Sequence, residues 1–325
     1  MYDAVGIGSL NIDLIFKIKK YELKKRWPKK YKPGGEIFEP SFKFEKILNF
    51  AKIKGKFLRK SGGGSAANTI YCLAKMGFKT SLIGNVGSDN YGKEILSQIS
   101  SSNSFVKTKN GKSGAALIFL DESGDRFIVV FPNLNNQFNK KDLDIDKLKK
   151  TRILHMSSFV GKRAFHTQLY AAKLVNHKSL ISLDPGEIYA KKGFDRLYPL
   201  ISLCNIIFLT DYELKLLFSN KQNVVSLLLE SGPDIIVLKK GKKGSQIITK
   251  EKRYIIDPFY VDVKDTTGAG DVYDAAFLAG ILKKWDIEDC GIFASKAAAL
   301  STKGYGRESY PGKDFLESFE RKVKK

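Results

Sequence analysis

The chain has 325 residues, 43% of them apolar, three cysteines and a formal net charge of +22. That length holds one large α/β domain, or one of about 250 residues with a smaller partner, and the apolar content excludes global disorder. The longest apolar run, near residues 198–210, is broken by Pro199 and Asn205. It is too short to span a bilayer, which takes roughly 20 residues.

The opening MYDAVGIGSLNIDLIF has no basic stretch ahead of its apolar residues, which argues against a secretory signal. Cys72, Cys204 and Cys290 lie far apart and form no CxxC, so they read as small buried thiols in a reducing cytoplasm. His155, His166 and His177 show no metal-ligand spacing and read as structural or surface residues. The lysine excess is spread over the whole length. It reads as solvated surface rather than the footprint of a nucleic-acid partner.

In chain order, residues 4–9 form a short apolar run expected to be a buried strand. Residues 17–60 hold sixteen Lys or Arg against four Glu, with aromatics interleaved. Pro28, Pro33 and Pro40 break any long helix there, and alternation over 41–44 suggests a short strand. The stretch reads as a lid or insertion on the core. A helix is expected over 65–76, ending at Gly77, followed by a strand at 80–86 and a helix at 91–100. Segments 115–120 and 126–131 flank DESGD and read as a β-hairpin.

Strands then alternate with helices. Strands are expected at 153–156, 180–184, 206–209, 235–239 and 254–263, and helices at 164–176, 212–218, 224–230, 271–283 and 287–302. This order indicates βαβ units and a parallel sheet. The lysine-rich end, 321–325, reads as a frayed helix terminus.

Three segments could carry chemistry. Asp265 to Asp271 reads DTTGAGD and opens a helix. A glycine-rich turn at a helix N-terminus offers free amides and the positive end of the helix dipole, which suits an anion. Asp271 would repel a bound phosphate. Its presence makes sense if it takes a proton from an attacking hydroxyl, although a first-turn aspartate is also a common helix cap. No Lys-Ser or Lys-Thr pair follows the glycines, so this is not a P-loop. Residues 62–68, GGGSAAN, open another helix; they suit close approach of a hydroxyl-rich ligand, or else a tight loop with a capping asparagine. Asn11 and Asp13 follow the first strand, where α/β sheets place ligands. Asn11 also stands in place of the third glycine of a dinucleotide-binding GxGxxG, which argues against that function.

Together these segments resemble the ribokinase-like (PfkB) family of carbohydrate and nucleoside kinases. Gly63, Gly64, Ala66, Asn68, Gly77 and Gly87 fit its first signature, with Ile70 departing, and DTTGAGD through Phe277 fits its second. Tyr273 stands where Phe is commoner, and Asp274, Ala275 and Ala276 replace a stretch usually richer in glycine.

The resemblance implies a three-layer α/β sandwich with a mostly parallel sheet and a small β-sheet lid. The kinase core would be residues 1–16, 61–112 and 132–325, and the lid 17–60 and 113–131. It implies ATP- and Mg²⁺-dependent phosphorylation of a sugar or ribonucleoside hydroxyl, with Asp271 as base. The amides of Gly268, Ala269 and Gly270 would form the anion hole. Asn11, Asp13, Gly63, Gly64 and Asn68 would bind the substrate.

KKGKKG at 239–244 falls where T-x-G-x-x-G lines the nucleotide. Gly241 and Gly244 are kept, and Lys239, in place of threonine, would reach a phosphate or point to solvent. TDYE at 210–213 falls where N-x-x-E orders Mg²⁺ and its waters. Glu213 is kept, so it would act through water, and Thr210 replaces the asparagine. Asp184, in DPG, is a weaker candidate near metal or phosphate. Residues 301–311 would help cover the adenine or, as in some members, bind a monovalent cation. In many members the lid pairs two subunits, which implies a homodimer. The lid here is long and basic, which suggests attraction of a phosphorylated substrate. DPG and KGKKG resemble archaeal nucleoside kinases of the family, which favours a ribose-containing substrate. The alternative is a non-catalytic, nucleic-acid-associated member of the fold using the basic lid.

Overall fold

The computed structural model describes residues 1–99, 105–122, 125–219 and 223–323. Its main sheet has nine strands. In spatial order they are Arg253–Ile256, Ser245–Ile248, Ile235–Lys239, Ile206–Thr210, Leu180–Asp184, Thr151–Ser157, Tyr2–Ile7, Thr80–Gly87 and Phe105–Lys109. The last seven of these run parallel, and the first two pair antiparallel at one edge. The inner strands are buried on both faces, which is why they read as unbroken apolar runs such as IIFLT and IIVLK.

Helices cover both faces. Ser65–Lys75, Ala269–Lys283 and Ile287–Ser301 pack on one, through Leu73, Phe277 and Phe293. Lys162–Val175, Phe194–Ile201 and Val224–Glu230 pack on the other, through Ala172, Leu197 and Leu228. The three-layer expectation holds.

A second sheet of five strands forms the lid, in the order Glu36–Phe38, Arg126–Phe131, Gly114–Leu120, Asn11–Ile18 and Gly55–Gly63. Asn11–Ile18 lies wholly in this sheet, so the expected core boundary at residue 16 is too late in the chain. Its alternate residues divide two environments. Leu14, Phe16 and Ile18 face a large apolar cluster, while Ile15 joins a smaller one with Ile118 and Val130. Asp13 lies on the same side as Ile15, by the two-residue period of a strand.

Two helices formed by the insertion, Lys20–Arg26 and Phe44–Lys54, cover the first of these faces. Trp27 packs on Phe119 and Phe127, Phe50 on Phe119, and Phe44 on Phe131. The expected strand over 41–44 is therefore a 3-10 turn, Ser41–Lys43, leading into a helix. Phe44, Ile47, Leu48 and Ala51 recur at helical spacing and are buried, which outweighs four residues of alternation. The strand expected at 254–263 ends at Ile256, two residues before Pro258, which lacks a ladder donor. The tip of the expected hairpin at 121–125 and the end of the C-terminal helix fall partly outside the described residues.

Candidate active site

The two glycine-rich segments meet where the sheets face each other. Helix Ala269–Lys283 begins after Gly268, which is left-handed at φ 78°, and a side chain there would overlap the Tyr310 hydroxyl. Asp265 braces the loop from within: Oδ1 accepts from the Thr267 amide at 2.8 Å and Oδ2 from the Gly306 amide at 3.2 Å. Ala269 N–H donates to the Thr266 carbonyl at 3.2 Å. Among the described residues the amides of Gly268, Gly270 and Asp271 have no acceptor. The expected set of amides is thus corrected by one member. Ala269 closes the turn, and the Asp271 N–H joins the two free glycine amides at the helix start.

Asp271 stands in the first turn of that helix. Asn68, from helix Ser65–Lys75, donates Nδ2–H to Asp271 Oδ2 at 2.8 Å. The Thr69 hydroxyl donates to the Asp271 carbonyl at 3.1 Å, locking the two helix starts together. Burial raises the Asp271 pKa, the Asn68 bond opposes this, and the charge of Asp184 adds to the rise. A carboxylate made more basic in this way suits proton abstraction.

The opposite wall comes from the lid. Asp13 is 8% exposed and packs over Gly63, where a side chain would overlap its carboxylate. Its pKa is raised to about 7, mainly by burial, with Arg307 opposing and Asp271 and Asp265 adding. Asn11 pairs across the sheet with Gly63, and its Oδ1 accepts from Asn135 Nδ2 at 2.9 Å. Asn135 also bonds both backbone groups of Leu10, so it clamps the entry to this strand. Gly64 is left-handed at φ 97°, and any side chain there would overlap the Ser9 carbonyl. Of the five expected substrate-side residues, Asn68 bonds Asp271 and Asp13 lies within reach of its charge, while Asn11, Gly63 and Gly64 frame Asp13 and the entry to its strand.

Arg307 joins them. It is 8% exposed, its Nε–H donates to Asn68 Oδ1 at 2.9 Å, and its guanidinium lies 4.6 Å from the Tyr71 ring centre. Residues 301–311 were expected at the adenine or a monovalent cation, yet they place this arginine beside Asp13 and Asn68. Arg126 of the lid donates to the Thr266 carbonyl at 3.2 Å, so lid and anion loop touch.

On the far side, Lys239 is 9% exposed, which rules out the solvent-directed reading. Its Nζ–H groups donate to Asp184 Oδ2 at 2.7 Å and Asp274 Oδ1 at 3.0 Å. Asp184 Oδ1 accepts from the Gly186 amide at 2.9 Å, so both oxygens are engaged. Asp184, the weaker candidate near metal or phosphate, is thus bonded both to Lys239 and to the turn that follows its own strand. Gly241 and Gly244 bracket the 3-10 turn that follows Lys239.

Thr210 caps helix Asp211–Phe218. Its hydroxyl accepts from Glu213 N–H at 3.2 Å, and Glu213 Oε2 accepts from Thr210 N–H at 2.7 Å. T-x-x-E is itself the signature of such a reciprocal capping box, a local signal that the metal reading of the segment passed over. Burial and then the charge of Asp184 raise the Glu213 pKa. Glu36 of the lid is raised to about 7 by burial, against Arg126 and with Glu187 adding. Among the described residues no group of three or more His, Cys, Asp or Glu is placed to ligate a metal directly.

Arg307 and Asn135 carried no pattern in the sequence that marked them, and Asp274 stood out only as a departure from the glycine-rich stretch usual there. Each acts through partners far away in the chain.

Known proteins resemble the chain over most of its length. Residues 44–311 match the pfkB family carbohydrate kinase domain. A sugar kinase of Archaeoglobus fulgidus without a characterised substrate is 34% identical over 74% of this chain and 98% of its own. A nucleoside kinase of Methanothermobacter thermautotrophicus is 28% identical over 78% and 82%. The solved adenosine kinase of Sinorhizobium meliloti superposes with a TM-score of 0.88 at 20% identity, over 99% of both chains, which shows a shared fold. The chain belongs to the pfkB family of carbohydrate kinases, phosphotransferases that act on an alcohol group.

Proposed function

We propose that this kinase transfers a phosphoryl group from ATP to a hydroxyl of a ribose-containing sugar or nucleoside. One observation carries the reading: a carboxylate of raised pKa, Asp271, sits beside unpaired amides at a helix start and is bonded to Asn68 of the other glycine-rich segment. Asn11, Asp13, Gly63, Gly64 and Asn68 hold and orient the acceptor. Asp271 takes the proton as the hydroxyl oxygen bonds to phosphorus. The bond from phosphorus to the bridging oxygen breaks, and ADP leaves. The amides of Gly268, Gly270 and Asp271 accept the charge that develops on the transferring group.

The turn at Gly241 and Gly244, with Thr210 and Lys239 at adjoining strand ends, lines the nucleotide. Kinases of this family use ATP with Mg²⁺, and a solved structure of this fold at TM-score 0.78 carries both. Burial raises the pKa of Glu213 and Glu36, so a cation arriving in the cleft would draw both toward their ionised forms. That suits a hydrated ion held by Glu213 through water, since Mg²⁺ keeps several waters. When bound, the ion would neutralise donor phosphate charge.

The ribose preference rests on relatives named as nucleoside kinases and ribose-1-phosphate kinase. Relatives named as 5-dehydro-2-deoxygluconokinases keep sugar acids in the same screen. No observation favours the non-catalytic, nucleic-acid-associated alternative. Incubation with ATP and Mg²⁺ against panels of sugars, sugar phosphates, sugar acids and nucleosides tests the proposal. Turnover of a ribose-containing acceptor is expected. Turnover confined to other sugars would overturn the substrate class, and none at all would overturn the reaction.

A further inference from the structure

Lys239 is unusual in this chain. Most of its lysines lie on the surface, whereas this one is buried at the end of strand Ile235–Lys239. It stands between two aspartates from distant segments, Asp184 at the end of the next strand but one and Asp274 one turn into the helix that begins at the glycine-rich loop. A Cβ built on Gly270 would lie 3.3 Å from Nζ, so the ammonium rests against the last glycine before Asp271. The Phe208 ring closes its other side at 5.8 Å. Two of its three N–H groups have acceptors, and among the described residues the third has none.

A buried ion cluster is a poor way to stabilise a core, because each ion costs several kcal/mol to desolvate. The cluster also balances in charge. Asp274 is 0% exposed, its carboxyl is held well above the usual range by burial, and its Oδ2 has no partner. A protonated Asp274 leaves Lys239 and Asp184 as a neutral pair. The ammonium can then spend its remaining N–H on an incoming anion. Lys239 and Asp274 are both departures from the family pattern, and they bond each other.

We propose that Lys239, oriented by Asp184 and Asp274, contacts the terminal phosphate of the donor from beneath Gly270 and makes the site prefer a nucleoside triphosphate to a diphosphate. This rests on the kinase reading above and adds to it a charged partner for the phosphate that moves. Asp184 and Asp274 are positioning residues: they fix where the ammonium sits and do not touch the donor.

The test is calorimetric titration of ATP and of ADP, each with Mg²⁺, into the wild type and Lys239→Met, together with steady-state kinetics. The wild type should bind ATP at least about tenfold more tightly than ADP, one charge-assisted hydrogen bond being enough for that. In Lys239→Met the preference should vanish. There kcat should fall about a hundredfold, while KM for the acceptor stays within about twofold. A merely structural lysine would weaken both nucleotides alike. If Lys239→Met does not fold, Lys239→Met with Asp184→Asn removes the pair together and faces the same two titrations. Retention of the ATP preference by whichever variant folds, with the wild type active, overturns this inference alone. A wild type that binds no ATP overturns the kinase reading, and this inference falls with it.

Discussion

Asp271 separates two polar regions built on different plans. On the acceptor side the groups are wired in series: Arg307 donates to Asn68, and Asn68 donates to Asp271. On the donor side they form a cluster, one ammonium between two aspartate side chains. A series arrangement passes on direction. The guanidinium can only donate, so it fixes which end of the Asn68 amide is the acceptor and turns the NH₂ toward the base. A cluster holds charge. The first region is therefore expected to control the position and protonation of the acceptor, and the second the grip on phosphate.

The largest effect should come from the residue both regions share. Asp271→Asn keeps the size of the side chain and removes the proton acceptor. It should lower kcat by about three orders of magnitude or more with little change in either KM. Comparable turnover would mean that another group takes the proton, and the comparison would lose its centre.

Arg307→Met breaks the series at its far end. The Asn68 amide is then free to turn over and present oxygen to the carboxylate. A fall in kcat of about tenfold to a hundredfold is expected, with ATP binding unchanged. Combined with Asn68→Ala it should cost little more than Asn68→Ala alone, because both act through one bond. Additive losses would show that Arg307 works by some other route.

A smaller effect should appear with pH alone. Asp13 has its folded pKa raised to about 7, chiefly by burial. Hydroxyl donors favour the ionised form, so acceptor binding should strengthen as pH rises through about 7, and KM for the acceptor should fall several-fold between about pH 6 and pH 8. Binding near neutral pH should release a proton, visible as a dependence of the binding enthalpy on the buffer. The effect on stability has the same origin. A raised carboxyl makes the folded state bind more protons than the unfolded one. This contribution is full below the unfolded value of about 4 and is lost as pH rises through about 7. In Arg307→Met the cation that lowers the Asp13 pKa is gone, so the KM transition should move to higher pH. A flat KM profile in both proteins would remove Asp13 from the acceptor site.

The two regions also differed in how far they could be read from sequence. The glycine-rich loops were legible because their chemistry is local, with Gly64 and Gly268 each required by a left-handed turn and a close neighbour within a few ångströms. Asn68 and Asp271 followed from the same motifs, and Asp13 from its place just past the first strand. Arg307 was one basic residue among 56, and its role depends on Asn68, 239 positions away. The direction of Lys239 was undecidable for the same reason, since its partners lie 55 and 35 residues away. The capping box at Thr210 and the helix at Phe44–Lys54 are different cases. Both have local signals, T-x-x-E and apolar residues at helical spacing, which compete with a family motif over the one and a four-residue alternation beside the other.

The smallest effect on catalysis should come from the lid's outer face, although the acceptor side depends on it. Asn11 and Asp13 ride on a strand whose other face is covered by the insertion helices, so the long basic segment has a structural use. Its apolar side carries Trp27, Phe44, Ile47 and Phe50 onto the sheet, and its lysines point to solvent. A sheet whose apolar face is already covered by its own chain offers little for a second subunit to bury there. The homodimer implied by resemblance is therefore not expected through this face. Trp27→Ala removes the side chain that touches Phe50, Phe119 and Phe127 at once. It should cost about 3–5 kcal/mol of stability. Below its lowered Tm the variant should keep its KM for ATP and raise that for the acceptor about twofold to threefold, because only the acceptor side is hung on the lid. Equal rises in both would mean that the lid positions donor and acceptor alike, and that the division at Asp271 is less sharp than the bonding around it suggests.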